Sequence, residues 1–166
     1  MTKNKTAEID PRTKIGHIHL KVADLQRSVD FYSGIIGFKI MTKMGDNAAF
    51  LSAGGYHHHI GLNTWESKDR SPPPRGSTGL YHFAILVPNR KELARILKKL
   101  IDNKFPIEGL SDHGVSEAIY LRDPDNNGIE IYADRPRKEW PHDSEGKLVM
   151  YTKSLDMDNL MKVLEK

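Results

Sequence analysis

Two histidines, His17 and His82, occupy the same point in two similar stretches, KIGHIHLKV and GLYHFAILV, about 65 residues apart, and a valine follows each (Val22, Val87). A carboxylate, Glu130, stands between isoleucines in GIEIYAD. Imidazole nitrogens and one carboxylate oxygen make an open triad that suits ferrous iron, with manganese, zinc and nickel as competitors. The chain has no cysteine, so any metal must be held by nitrogen and oxygen, and a thiol nucleophile is excluded. Three further positions carry chemistry. His59, the last of His57-His58-His59, is a candidate acid/base group, because imidazole titrates near neutral pH; the alternative is a polar lining residue. Tyr120 either donates a hydrogen bond to a bound oxyanion or lines a cavity as apolar bulk. His113, in SDHGVSEA, either closes over the site or caps a turn.

The elements that must position these groups follow from periodicity. Lys14–Val22 alternates, with His17, His19 and Lys21 on one face and Ile18, Leu20 and Val22 on the other, as a half-buried strand does. Asp24 is suited to cap a helix carrying Leu25, Val29, Phe31, Tyr32, Ile35 and Ile36, which Gly37 stops. Phe38–Lys43, Ala48–Ser52 and Tyr56–Asn63 read as three more strands, the last with His57 and His59 inward and His58 toward the helix. After a proline-rich linker the pattern restarts. Leu80–Val87 is a strand, Asn89 caps a helix with Leu93, Ile96, Leu97, Leu100 and Ile101 on one side, and Phe105–Leu110, Glu117–Leu121 and Gly128–Ala133 are strands. The chain therefore reads βαβββ, linker, βαβββ, an internal repeat that dictates the architecture. Alternation puts His17, His82 and Glu130 on inner faces, with Tyr120 beside Glu130. The place in the first half that corresponds to Glu130 falls near Gly61.

The fold class expected is α+β: paired βαβββ modules forming a cupped mixed sheet, a half-barrel, with helices on the outer face. One domain spans residues 14–135 (modules 14–64 and 79–135), a disordered arm precedes it (1–13), and a tail with a short helix follows (136–166). Charged residues at 28% and hydrophobic ones at 38% fit a globular domain rather than a disordered chain. The net charge of +3 is scattered, which argues against nucleic acid as a partner. No apolar run nears the roughly 20 residues that cross a bilayer, so neither a membrane segment nor a signal peptide is expected, and a cytoplasmic location is the default.

With these residues placed, the chain resembles the vicinal oxygen chelate superfamily of glyoxalases, bleomycin- and fosfomycin-resistance proteins and extradiol ring-cleaving dioxygenases. The stretches GHIHLKVADLQRSVDFYSGIIGF, GLYHFAILVPNRKEL and LRDPDNNGIEIYADRP carry the likeness, between Ile15 and Pro136. YHHHIGLNTW and SDHGVSEAIYLRDPDNNGIEIYADRPRKEWP are most similar to catechol dioxygenase-type members. The resemblance implies a divalent metal, ferrous iron foremost, on His17, His82 and Glu130. It also implies acid/base work at His59, a substrate-oxygen contact from Tyr120 and a second histidine near His113. The substrate implied is a catechol or related small aromatic, and a homodimer is expected. Glyoxalases need a fourth ligand on the first module's last strand, which Gly61 cannot supply, so a glyoxalase-like isomerase or lyase ranks second, beside a non-catalytic ligand-binding or resistance protein. Ring-cleaving dioxygenases usually carry two such domains. This chain resembles one of them plus the lead into the next, GKLVMYTKSLDMDNL, so the pocket is either incomplete or restored by dimerisation.

Overall fold

The computed structural model describes residues 8–165; most of the expected disordered arm, residues 1–7, lies outside the described residues. Two sheets form, one per module. The first has the order β1 (Ile18–Lys21), β4 (Ile60–Asn63), β3 (Ala48–Ser52), β2 (Lys39–Met44). The second has the order β5 (Phe83–Leu86), β8 (Gly128–Asp134), β7 (Ser116–Arg122), β6 (Gly109–Asp112), β9 (Lys153–Ser154). In both modules the first strand runs parallel to the last and antiparallel pairs complete the sheet. The repeat and the α+β class expected from the sequence are both present.

Helices cover the outer faces. Asp24 caps α1 (Leu25–Val29) by accepting from the Arg27 N–H, and the chain continues through wider-wound turns over Asp30–Ile36. Asn89 caps α2 (Arg90–Asp102) by accepting from the Glu92 N–H. Leu93, Leu97 and Leu100 are fully buried, whereas Ile101, expected on the same face, is 43% exposed at the helix end. One hydrophobic core joins the modules: Tyr32, Leu51 and Leu62 of the first pack with Leu97, Ile119 and Ile131 of the second.

The polar turn Asp123–Asn127, between β7 and β8, is the bracket between the modules. Asp123 accepts from the Tyr32 hydroxyl at 2.8 Å, and Asp125 accepts from Arg27, Ser28 and the Ala23 N–H. Both carboxylates are buried, and a buried charge is tolerated only when hydrogen-bonded in this way. The tail also belongs to the domain. Through β9 it adds a strand to the second sheet, α3 (Met157–Met161) is capped by Asp156, and Leu155 and Leu160 enter the core.

β1 and β5 are each hydrogen-bonded to one neighbour and form the outer edges of their sheets. Ile15 (92% exposed), Tyr81 (85%) and Leu86 (54%) stand around these edges.

Candidate functional site

In the second module the expected residues converge. Strand register places Tyr120 opposite Glu130 and Glu130 opposite Ala84. The small Ala84 leaves the Glu130 side chain free to reach the His82 ring at the mouth of β5: Nε2 and Oε2 lie 3.1 Å apart. The other Glu130 oxygen accepts from the Tyr120 hydroxyl at 3.0 Å, and His113 Nε2 lies 2.8 Å from the same hydroxyl. His113, Tyr120, Glu130 and His82 thus form one continuous polar chain. Three of its members, His82, His113 and Tyr120, line a cavity of about 300 Å³ together with Ser111, Arg122 and Thr152. Side-chain exposure of 14% for Glu130 and 30% for His82 leaves both within reach of a ligand but largely out of bulk water, so Glu130 is not a residue of a solvated outer face.

Tyr120 keeps its proton. Burial pushes its hydroxyl up to about 12, helped by the hydrogen bond to Glu130 and by that carboxylate's charge. It is therefore a donor at neutral pH, able to face a developing negative charge. His113 Nδ1 lies 3.0 Å from the Tyr151 carbonyl and 3.3 Å from the Thr152 hydroxyl, so the tail reaches the site. That contact is not legible from residue types, because a backbone carbonyl has no code in them. Arg122 was foreseeable as a wall residue, since alternation places it on the Tyr120 face; it bonds Glu108 at 2.8 Å.

In the first module the histidines gather differently. His17 stacks on His58 with ring centroids 4.4 Å apart, and His58 also meets His57 and Phe50. Residues 56–59 precede β4 rather than forming part of it, so alternation does not govern them: His58, expected on the helix side, lies with His17 instead. Burial and the surrounding imidazoles lower the His58 pKa. His59 is directed at the end of β3, its Nδ1 accepting from the Ala53 N–H at 3.3 Å and lying 3.0 Å from the Ser52 hydroxyl. Register pairs Gly61 with His19 just as it pairs Glu130 with Ala84, which fixes Gly61 as the counterpart of Glu130.

The donors of the second module suit a divalent cation in part. His82 and Glu130 supply nitrogen and oxygen from adjacent strands, while His17 stays with His58. Among the described residues no three His, Asp or Glu side chains are gathered closely enough to hold a metal ion. Nor is any helix among them long and apolar enough to cross a membrane.

Comparison with known proteins follows the same lines. A family model described as the Glyoxalase/Bleomycin resistance protein/Dioxygenase superfamily matches residues 14–131. A catechol-2,3-dioxygenase of Bacillus subtilis (strain 168) is 48% identical over 149 residues, covering 90% of this chain and 51% of that protein. The chain therefore spans about half the length of that relative. The virulence protein STM3117 of Salmonella typhimurium is 32% identical over 120 residues, covering 71% of this chain and 82% of its own. Among solved structures, a glyoxalase/dioxygenase from Nostoc punctiforme superposes with a TM-score of 0.64 at 24% identity, over 79% of this chain and 99% of that one, a likeness of fold.

Proposed function

The chain belongs to the glyoxalase, bleomycin-resistance and dioxygenase superfamily, and on that premise we propose that it is a metal-dependent enzyme acting on a catechol or a related small aromatic by extradiol ring cleavage. The observation that carries this reading is the chain His113–Tyr120–Glu130–His82, three of whose members line one small cavity: two metal-type donors directly beside a protonated hydroxyl and an imidazole. The likeness to a catechol-2,3-dioxygenase supports it. His82 and Glu130 would hold a divalent ion, iron before manganese, zinc or nickel. When bound, that ion supplies Lewis-acid polarisation of the two diol oxygens. The remaining work falls to side chains. Tyr120, still protonated, donates to a developing oxyanion. His113 exchanges a proton with Tyr120, and the low exposure of Glu130 keeps water from competing. His59 is proposed as a second acid/base group that comes into range when the site is complete.

The third ligand, His17, is proposed to come from a second copy. Among the described residues β1 and β5 are edge strands, each with a proposed ligand histidine at its mouth, and an unpaired edge is a template for another chain. Pairing β1 of one copy with β5 of the other, twice about a two-fold axis, completes two sites. Mixing His17→Ala with His82→Ala protein tests this, because a heterodimer regains one intact site. The expected result is recovery of part of the iron-dependent oxygen uptake with catechol; no recovery, with both variants folded and dimeric, sinks the shared site. A failure of the iron-loaded protein to bind catechol anaerobically sinks the dioxygenase reading. A metal-free receptacle is the second reading, favoured by the two-donor set within one chain, and elemental analysis of purified protein separates it from the first.

A further inference from the structure

We infer that the C-terminal tail is part of the acid/base machinery: the Tyr151 carbonyl, seconded by the Thr152 hydroxyl, fixes which ring nitrogen of His113 carries hydrogen, and so makes Nε2 the nitrogen that trades a proton with Tyr120. A carbonyl oxygen only accepts, so His113 Nδ1, 3.0 Å from it, is the N–H. A neutral imidazole has one donor and one acceptor, and the bond at one nitrogen decides the state of the other. His113 Nε2 is then a bare acceptor, 2.8 Å from the Tyr120 hydroxyl, and it shares with Glu130 Oε1, 3.0 Å away, the one hydrogen that this hydroxyl carries. The opposite tautomer would set a bare Nδ1 against a carbonyl lone pair, a repulsive contact, and would leave Glu130 as the acceptor for Tyr120.

The tail is held firmly enough to impose this choice. Lys153 and Ser154 pair with Asp112 and Ser111, and the Leu155 N–H donates to the Leu110 carbonyl at 3.2 Å. Leu155 and Leu160 are buried, and Asn159 accepts from Arg90 of α2 at 2.8 Å. Gly114, next to His113, shows how closely the two segments meet. Its φ of +77° favours glycine, and a Cβ there would lie 2.7 Å from the Tyr151 ring. Simple docking of a tail is satisfied by backbone pairing. Here one of its carbonyls serves a side chain whose other nitrogen faces the cavity.

His113 and Tyr120 are shared with the proposed activity, but the tautomer depends on neither metal nor catechol, so the test needs neither. Ring nitrogen NMR of the full chain labelled with ¹⁵N-histidine, with His113 assigned by loss of its signals in His113→Gln, reads the tautomer directly. The expected spectrum of the neutral ring has a protonated Nδ1 and a bare Nε2. Lys153→Pro removes a donor from the β9 ladder, and it is expected to replace that pattern with the Nε2–H form or an averaged one. Should Lys153→Pro not fold, Gly114→Ala displaces Tyr151 from the other side and is expected to do the same. A wild-type ring protonated at Nε2, or a folded tail variant with an unchanged His113 pattern, overturns the inference. Absence of ring cleavage would sink the proposed activity and leave these spectra as they are.

Discussion

The two modules share strand order, helix placement and a histidine at the mouth of the first strand, yet a single exchange of bulk separates them. In the first, His19 faces Gly61 across β1 and β4; in the second, Ala84 faces Glu130 across β5 and β8. A side chain at 61 would begin 2.9 Å from His19 Cγ, so the His19 ring occupies the space that Glu130 uses in the other module. Asn63 holds that ring from 2.9 Å, and Phe50 and Trp65 flank it. The first module has packed an imidazole where the second keeps a reachable carboxylate. A duplicated scaffold thus yields one half that packs aromatic rings together and one that keeps a carboxylate in a polar chain with His82, Tyr120 and His113.

Breaking the reactive half should have the largest effect. Glu130→Gln removes the carboxylate that both His82 and Tyr120 address, and the proposed ring-cleavage activity should fall by on the order of 10³-fold or more, the scale of combined electrostatic and acid/base assistance. Tyr120→Phe keeps the ring and deletes the donor. Its kcat should drop about 10²–10³-fold with a smaller change in KM, as for loss of one preorganised donor. Equal losses in kcat and binding would show Tyr120 to be a wall residue only.

Much of this arrangement was legible before any coordinates. Parity alone placed Glu130 with Tyr120, and the repeat alone matched Gly61 to Glu130. Period-2 alternation fixes faces within a sheet, and the register reproduces it. Alternation says nothing about which edge of one sheet meets which edge of another, so the distance between His17 and His82 was not readable. It also lapses where a strand has not begun, which is why alternation puts His58 on the helix side while the ring lies with His17. The bridging role of the Asp123–Asn127 turn is hidden for a different reason. Asp, Pro and Asn are turn formers in water and equally good acceptors for a helix behind them, and only the partners Arg27, Ser28 and Tyr32 distinguish the two cases.

The exchange of bulk can be tested by moving it. Gly61→Glu alone forces a side chain into the His19 ring and should cost about 1–3 kcal/mol, the usual scale of overpacking, read as a lower denaturation midpoint. Adding His19→Ala recreates the Ala84/Glu130 pair in the first module and should recover most of that loss. If the double variant is no more stable than Gly61→Glu, His19 is not what occupies the space.

The smallest effect concerns what holds the two halves together, and it has a pH signature. Tyr32 is fully buried and donates to Asp123. Burial, with the nearby carboxylate, raises its pKa far above the ordinary tyrosine value. The folded chain then binds this proton more tightly than the unfolded one, so the contribution is intact below the unfolded pKa of about 10 and is lost as pH rises beyond it. Tyr32→Phe leaves Asp123 with the Asn127 contacts and the Asp125 N–H, and should cost about 1–3 kcal/mol at neutral pH, the penalty for one missing partner at a buried acceptor. Above about pH 10 the gap between wild type and variant should narrow, because the wild type loses there what the variant never had. Urea unfolding of both proteins from pH 7 to 11 measures it. A constant gap would mean that the hydroxyl serves packing alone, and that the bracket between the reactive and the stacking module rests on Asp125 with Arg27, Ser28 and the Ala23 N–H.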